Sequence, residues 1–216
     1  MNCPPRVSAP CATLGHLRWN RAVWLAALAG AGGVCAPASA QLRVVNWNVT
    51  AYSSGRVADF QNAIFGTAPN GQRMFPDIIV AEEIAGATGA NNFLSLLNTY
   101  PGVPTDWARA DYVDTTVNPG SNPSQALFYR TSKVELLAQH ATDPMGPSTI
   151  YTEVLDDNTG SCSTCPPRDN HRFRVRLKGY TSAGAEIFLY AAHFKAGSAG
   201  SDSARRVPEA QRLRTN

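Results

Sequence analysis

Three short apolar stretches of the chain each run directly into polar side chains that could take part in phosphate chemistry. They are residues 42–45 before Asn46 to Asn48, 77–81 before Glu82 and Glu83, and 187–192 before His193 to Lys195. Buried strands read as short continuous hydrophobic runs, and catalytic groups tend to lie where a strand gives way to a loop. An amide, a carboxylate and an imidazole at three strand ends therefore predict one shared site. That set suits a magnesium-dependent hydrolase of phosphate esters.

The periodicity of apolar residues indicates which elements would position these groups. Helical spacing predicts helices over 55–65 and 91–100, and short apolar or alternating runs predict strands at 42–47, 77–81, 107–113, 125–130, 133–137, 173–177 and 186–192. Pro208 is expected in the first turn of a short last helix. The pattern shows no repeat and no linker, so residues 41–216 are interpreted as one α/β domain.

The first 40 residues differ in kind from the rest. They contain Arg6, Arg18 and Arg21 without an acidic residue, then an apolar run at 22–29, and they end on small residues at 37–40. This pattern is typical of a secretory signal peptide, and it is too short and too rich in glycine for a membrane span. We therefore expect a secreted or periplasmic protein with no stable membrane association.

Removing this leader changes the charge and the cysteine count. The leader holds three of the 19 basic residues, so 16 remain against 16 acidic ones, and the mature chain is neutral. Binding to nucleic acid through a general positive field is therefore not expected, and a polyanion must be held by local patches. Of the five cysteines only Cys162 and Cys165 remain. A small local disulfide is the simplest interpretation in an oxidising compartment, with a redox pair or half of a zinc site as alternatives.

Four segments in order, 47–49, 77–84, 126–130 and 193–197, resemble the N-terminal part of the endonuclease/exonuclease/phosphatase superfamily, which contains pancreatic-type deoxyribonuclease. The resemblance implies a deoxyribonuclease-like two-sheet β-sandwich flanked by helices in four layers. Deoxyribonucleases of this type also carry a short disulfide loop where Cys162 and Cys165 lie. The later Gly-Asp-x-Asn-like and Ser-Asp-His-like motifs of the superfamily do not occur after Lys195, so residues 41–216 are expected to be an incomplete domain, truncated at its C-terminus.

The resemblance assigns roles to individual residues. Glu83 matches the magnesium ligand, although Glu82 stands where glutamine usually precedes it, and Asn48 matches the asparagine that orients the metal site. His193 matches the histidine that helps to protonate or orient the departing oxygen. The family pairs this histidine with an acid shortly before the strand end that 128–130 resembles, and the first acid found before that strand end is Asp114. Without the resemblance, Asn48 could merely cap a turn, the glutamates could be a solvated strand end, and His193 could be a core residue.

Basic side chains near these groups could hold a phosphate. Lys195 shares the strand side of His193 if the strand continues. Arg172 lies near the position of the family's substrate-contacting arginine, and Arg172, Arg174 and Arg176 alternate along one strand face. That face could grip phosphate or be an ordinary solvated surface.

Taken together, the resemblance implies a secreted metal-dependent phosphodiesterase, with a DNA endonuclease as the first expectation and DNA as its partner. Mg²⁺ is the expected cofactor, with Ca²⁺ or Mn²⁺ as alternatives. A sphingomyelinase-like phospholipid phosphodiesterase of the same fold and a non-catalytic remnant are the other readings. Oligomeric state and base preference are left open by the sequence.

Overall fold

The computed structural model describes residues 41–114, 123–139, 149, 151–156 and 168–215. Its strands and helices follow in the order β1 Val44–Tyr52, α1 Val57–Phe65, β2 Ile78–Ile84, α2 Gly86–Asn98, β3 Trp107–Arg109, β4 Ser124–Arg130, β5 Val134–Leu137, β6 Glu153–Asp156, β7 Asn170–Leu177, a 3₁₀ turn Ala183–Ala185, β8 Glu186–Ala191 and α3 Gly200–Thr215. The protein is a mixed α/β structure with two sheets, which confirms the expected fold class.

The first sheet has the order β1-β2-β4-β3. Strands β1 and β2 are parallel, whereas β4 runs antiparallel to both β2 and β3. In the second sheet β5 and β6 pair with successive halves of β7, and β8 pairs with the opposite edge of β7. Parallel pairing of β1 and β2 brings their carboxyl ends to the same edge of the first sheet, which is where the sequence places Asn48 and Glu83.

Alternation along the strands divides the apolar core into two layers. Ile79, Ala81 and Phe128 pack with the aromatic and aliphatic side chains of α1 and α2 on one face of the first sheet. Ile78 and Leu127, on the other face, pack against the second sheet. The two layers fix the first sheet between a helical layer and the second sheet.

Several elements depart from the sequence expectation. Helix α2 begins at Gly86 instead of residue 91, and β6 was not expected. The expectation that Pro208 lies in the first turn of a short last helix was wrong, because α3 begins at Gly200 and contains Pro208 in its interior. A proline inside a helix removes one backbone hydrogen bond, so tertiary contacts must hold the turns before it. None of the helices in the described residues is long and apolar enough to cross a membrane.

Candidate active site

The carboxyl ends of β1, β2 and β8 meet the start of β7 at one end of the two sheets. Asn48 is the β-pairing partner of Glu82 within the first sheet. Ala191, two residues before His193, pairs with His171 near the start of β7. Contacts between Glu83 and residues of the second sheet's strand ends join the two halves. The structure therefore brings Glu83 and His193 together, as the sequence pattern predicts.

Glu83 lies at the centre of this cluster. Its Oε1 is 3.6 Å from Nε2 of His193 and 3.7 Å from Nη2 of Arg168, while its Oε2 accepts a hydrogen bond of 3.2 Å from the backbone N–H of Ala51. The Glu83 side chain is 19% exposed, so its charge is partly shielded from water. A carboxylate with an imidazole and a guanidinium on the same oxygen forms a compact polar site that an anionic ligand or a hydrated cation could enter.

The backbone beneath the cluster is strained. Thr50, Ala51 and Glu83 have φ values of 55°, 48° and 62°, in the left-handed region that residues with side chains rarely adopt. They account for three of the five non-glycine residues with positive φ in the described part of the chain. The β-pairing shifts register between Asn48 and Tyr52 of β1 and between Ala81 and Ile84 of β2, the segments that contain these three residues. Such strain persists where packing enforces it, and it concentrates at functional sites.

Asn48 and Glu82 lie beside Glu83 and make local contacts. Oδ1 of Asn48 accepts a hydrogen bond of 2.9 Å from the backbone N–H of Thr50, and Nδ2 of Asn46 donates to Oε1 of Glu82 at 2.8 Å. The first contact is the turn-capping geometry that the sequence left open. It also fixes the amide of Asn48 close to the strained segment, so a role in orienting a metal site stays a prediction.

His193 is held in a poorly solvated position. Its side chain is 15% exposed, and its Nδ1 is buried with no hydrogen-bond partner among the described residues. Burial lowers the pKa of His193 below its ordinary value, and the nearby Arg168 guanidinium lowers it further, against opposing effects from Glu82 and Glu83. The free imidazole is therefore mainly neutral at neutral pH, and Nε2 lies on the side of Glu83.

Arg168 is the functional candidate that the sequence reasoning passed over. From the sequence, the substrate contact was predicted at Arg172, and Arg168 was given no role. In the structure Arg168 reaches Glu83 at the start of β7, and its side chain is 24% exposed. The strand was predicted to begin at residue 173, whereas β7 begins at Asn170, so the sequence pattern placed Arg168 too far from the strand start to be recognised.

Arg172, by contrast, is engaged in a buried ion pair. Its Nε donates to Oε2 of Glu153 at 2.7 Å, and the side chains are 6% and 1% exposed. The guanidinium also lies 5.4 Å from the ring centroid of Phe188. The next two arginines along this strand face pair with glutamates as well, Arg174 with Glu186 and Arg176 with Glu135. The arginine face is thus a set of cross-strand ion pairs, and a phosphate contact by Arg172 stays a prediction.

Lys195 and Asp114 lie near the site but have other contacts. Nζ of Lys195 is 2.9 Å from Oδ1 of Asp202 in α3. Asp114 interacts with Tyr112, and burial together with Asp114 raises the pKa of Tyr112 to about 12. The hydroxyl of Tyr112 donates to the carbonyl of Ile84, one residue after Glu83. Asp114 therefore lies near the end of β2, whereas the acids that act on the pKa of His193 are Glu82 and Glu83.

The residues fit a weakly ligated magnesium ion better than a protein-enclosed metal. No group of three or more His, Cys, Asp or Glu side chains with metal-binding geometry occurs among the described residues. Mg²⁺ commonly keeps several waters and binds through one or two carboxylates. Glu83, with Asn48 nearby, is compatible with that mode. Cys162, Cys165 and the predicted leader at residues 1–40 lie outside the described residues.

Comparisons with known proteins give one structural neighbour of note. The structure resembles the catalytic domain of human Nocturnin solved with a bound sulfate anion, with 15% sequence identity and a TM-score of 0.37 over 66% of this chain. The matched region spans 46% of that protein, so this chain covers less than half of its length. No family model matches the sequence. No curated protein matches it either.

Proposed function

We propose that this chain belongs to a secreted, metal-dependent phosphodiester hydrolase, with DNA as the first substrate to test. The observation that carries the proposal is the meeting of Glu83, His193 and Arg168 within 3.7 Å at the junction of the two sheets. A carboxylate, an imidazole and a guanidinium in one shielded cluster match the needs of phosphate ester cleavage. The resemblance of the strand-end motifs to deoxyribonuclease supports the same reading.

Glu83 would hold the cation and Asn48 would lie beside it. A bound Mg²⁺ would neutralise negative charge on the phosphate oxygens. The Oε1 atom of Glu83 faces the interior of the cluster, and its Oε2 is fixed by the amide of Ala51. The backbone contact holds the carboxylate in one orientation, so little reorganisation is needed when the cation binds.

His193 would serve the departing oxygen. In the free site the imidazole is mainly neutral, because burial and Arg168 lower its pKa. An anionic phosphodiester beside it would favour the protonated form. As water attacks phosphorus and the bond to the leaving oxygen breaks, Nε2 of His193 would give that oxygen its proton, and the attacking water would lose a proton to solvent. Arg168 would bind a phosphate oxygen through its planar guanidinium.

Nicking of supercoiled plasmid in the presence of Mg²⁺ tests this proposal. Glu83→Gln and His193→Ala should each lower the rate by about 100-fold or more, since single acid–base or metal-ligand side chains contribute on that order. Glu135→Gln is the matched control, because Glu135 is 45% exposed and pairs with Arg176 on the sheet face. Its rate should stay within about twofold of wild type.

Three results would contradict parts of this proposal. Release of phosphocholine from sphingomyelin vesicles without plasmid nicking would assign the site to phospholipid. An absence of turnover on any phosphodiester would favour the non-catalytic remnant over a hydrolase. Full activity of Glu83→Gln would contradict the role proposed for Glu83 in holding the cation. Export is tested separately, since the leader predicts a mature N-terminus at Gln41 that mass spectrometry of the exported protein would detect.

A further inference from the structure

Side chains of helix α3 form hydrogen bonds and an ion pair with the loop that carries His193. This loop, residues 192–199 and called here the His193 loop, joins β8 to α3. The side chains that contact it are Asp202, Arg206 and Glu209, which are spaced four and three residues apart and so lie on one face of the helix. The predicted short last helix, which was expected to begin near Pro208, would have lacked Asp202 and Arg206.

Glu209 is the most deeply placed member of this face. Its relative exposure is 0%, and its Oε2 accepts a hydrogen bond of 3.1 Å from the backbone N–H of Lys195. Burying a carboxylate costs free energy unless hydrogen bonds and charges compensate for it. The contact falls two residues from His193, so the buried carboxylate fixes the chain next to the candidate proton donor.

Arg206 and Asp202 also hydrogen-bond to the backbone of the His193 loop. Nη1 of Arg206 donates to the carbonyl oxygens of Lys195 at 2.9 Å and of Gly197 at 2.8 Å. Oδ2 of Asp202 accepts a hydrogen bond of 3.2 Å from the backbone N–H of Ala199. Both polar backbone groups of Lys195 are therefore bound by α3. The loop turns at Gly197, where φ is 105° and a side chain would collide with Asp202.

We propose that Glu209 and Arg206 are positioning residues that hold the His193 loop so that the imidazole stays against Glu83. The proposal rests on the proposed function only in giving His193 a chemical role. It predicts that removing these contacts between α3 and the His193 loop makes His193 more accessible to solvent while the two sheets stay folded. The buried His171 reports on the sheets, because its relative exposure is 0% and it lies in β7.

Acylation of histidine by diethyl pyrocarbonate, read by peptide mass spectrometry at fixed neutral pH, measures both sites at once and needs no enzymatic activity. Glu209→Ala should raise the modification rate of His193 about fivefold or more, since losing one such contact changes a local opening equilibrium by about that factor or more. Glu209→Gln keeps an acceptor oxygen for the Lys195 amide and should stay within about twofold of wild type. Gln211→Ala, at an exposed position of the same helix, is the control and should match wild type. His171 should remain unmodified throughout.

An unchanged His193 rate in Glu209→Ala, with His171 still protected, would overturn the proposal, and so would Glu209→Gln behaving like Glu209→Ala. If Glu209→Ala also exposes His171, the second variant Arg206→Met decides. Faster modification of His193 alone in that variant supports the proposal, and an unchanged rate overturns it. Exposure of His171 in both variants would show that α3 stabilises the whole domain instead of positioning one loop, which also overturns it. Failure of plasmid nicking leaves these readouts unaffected.

Discussion

Lowering the pH should destabilise the folded domain through His171, a residue that the proposed chemistry does not use. His171 lies in β7 on the face that meets the first sheet, beside Phe173. Its side chain is fully buried, and within the part of the chain that the structure describes neither ring nitrogen has a hydrogen bond of good geometry. Burial lowers the pKa of His171 to about 4, and a backbone group of Gln125 opposes this shift only in part.

The sign and size of the effect follow from that pKa. The unfolded chain binds a proton near pH 6.5 and the folded chain only near pH 4, so the unfolded state binds more protons between these values. Stability is therefore complete above about pH 6.5 and falls as the pH decreases. Integrated over this window, the loss attributable to His171 is about 2 kcal/mol at pH 5 and about 3 kcal/mol at pH 4.

Urea unfolding followed by tryptophan fluorescence measures this loss, with His171→Leu as the comparison. Leucine is of similar size and does not titrate, so all other groups contribute equally to both pH dependences. Between about pH 7.5 and pH 4 the free energy of unfolding of wild type should fall about 3 kcal/mol further than that of the variant. Parallel pH dependences, within about 0.5 kcal/mol, would show that His171 is not buried as described and would refute the reasoning.

Two further changes test the packing around the site. Glu153→Ala should lower the free energy of unfolding by about 3–5 kcal/mol, because it removes the carboxylate partner of the buried Arg172. Glu135→Ala breaks a more exposed ion pair and should lower the free energy of unfolding by less than about 1 kcal/mol. Equal losses in urea unfolding would contradict the difference in burial between the two ion pairs. Gly197→Ala should cost about 1–3 kcal/mol, because its φ is 105° and a side chain would meet Asp202. Gly184→Ala, with no atom within 4 Å of the added carbon, should change thermal unfolding little, and similar melting of the two alanine variants would argue against the strained turn.

The sequence predicted best what depends on local pattern. Continuous apolar runs predicted β2, β4 and β8, and helical spacing of apolar residues predicted α1. These predictions succeeded because the buried face of a strand or helix produces a pattern among neighbouring residues. The nearness of Glu83 and His193 followed from the same logic, since strand ends of a packed pair of sheets meet at shared edges.

Features that depend on distant partners were missed. Arg172 was predicted to contact phosphate, but in the structure it pairs with Glu153. Glu153 lies in β6, a four-residue strand that was not predicted because it has few apolar residues. Helix α3 was expected to begin near Pro208, because a proline normally disfavours the helix before it. The first two turns of α3 are stabilised by contacts with the His193 loop, which precedes the helix. No local sequence pattern predicts these contacts. The left-handed backbone of Glu83 likewise falls where the pairing of β2 with β4 shifts register, and that pairing involves residues distant in the sequence.

Paramagnetic broadening by Mn²⁺ tests most directly whether Glu83 and His193 share one cation site. Substoichiometric Mn²⁺, used in place of Mg²⁺, should broaden the imidazole resonances of His193 while leaving the ring of Tyr180 sharp. Tyr180 lies before the start of β8, whereas His193 follows its end, and the six residues of β8 span about 20 Å. Glu83→Gln should abolish the broadening. Equal broadening of His193 in Glu83→Gln, or none in wild type, would contradict a metal-dependent site at this junction.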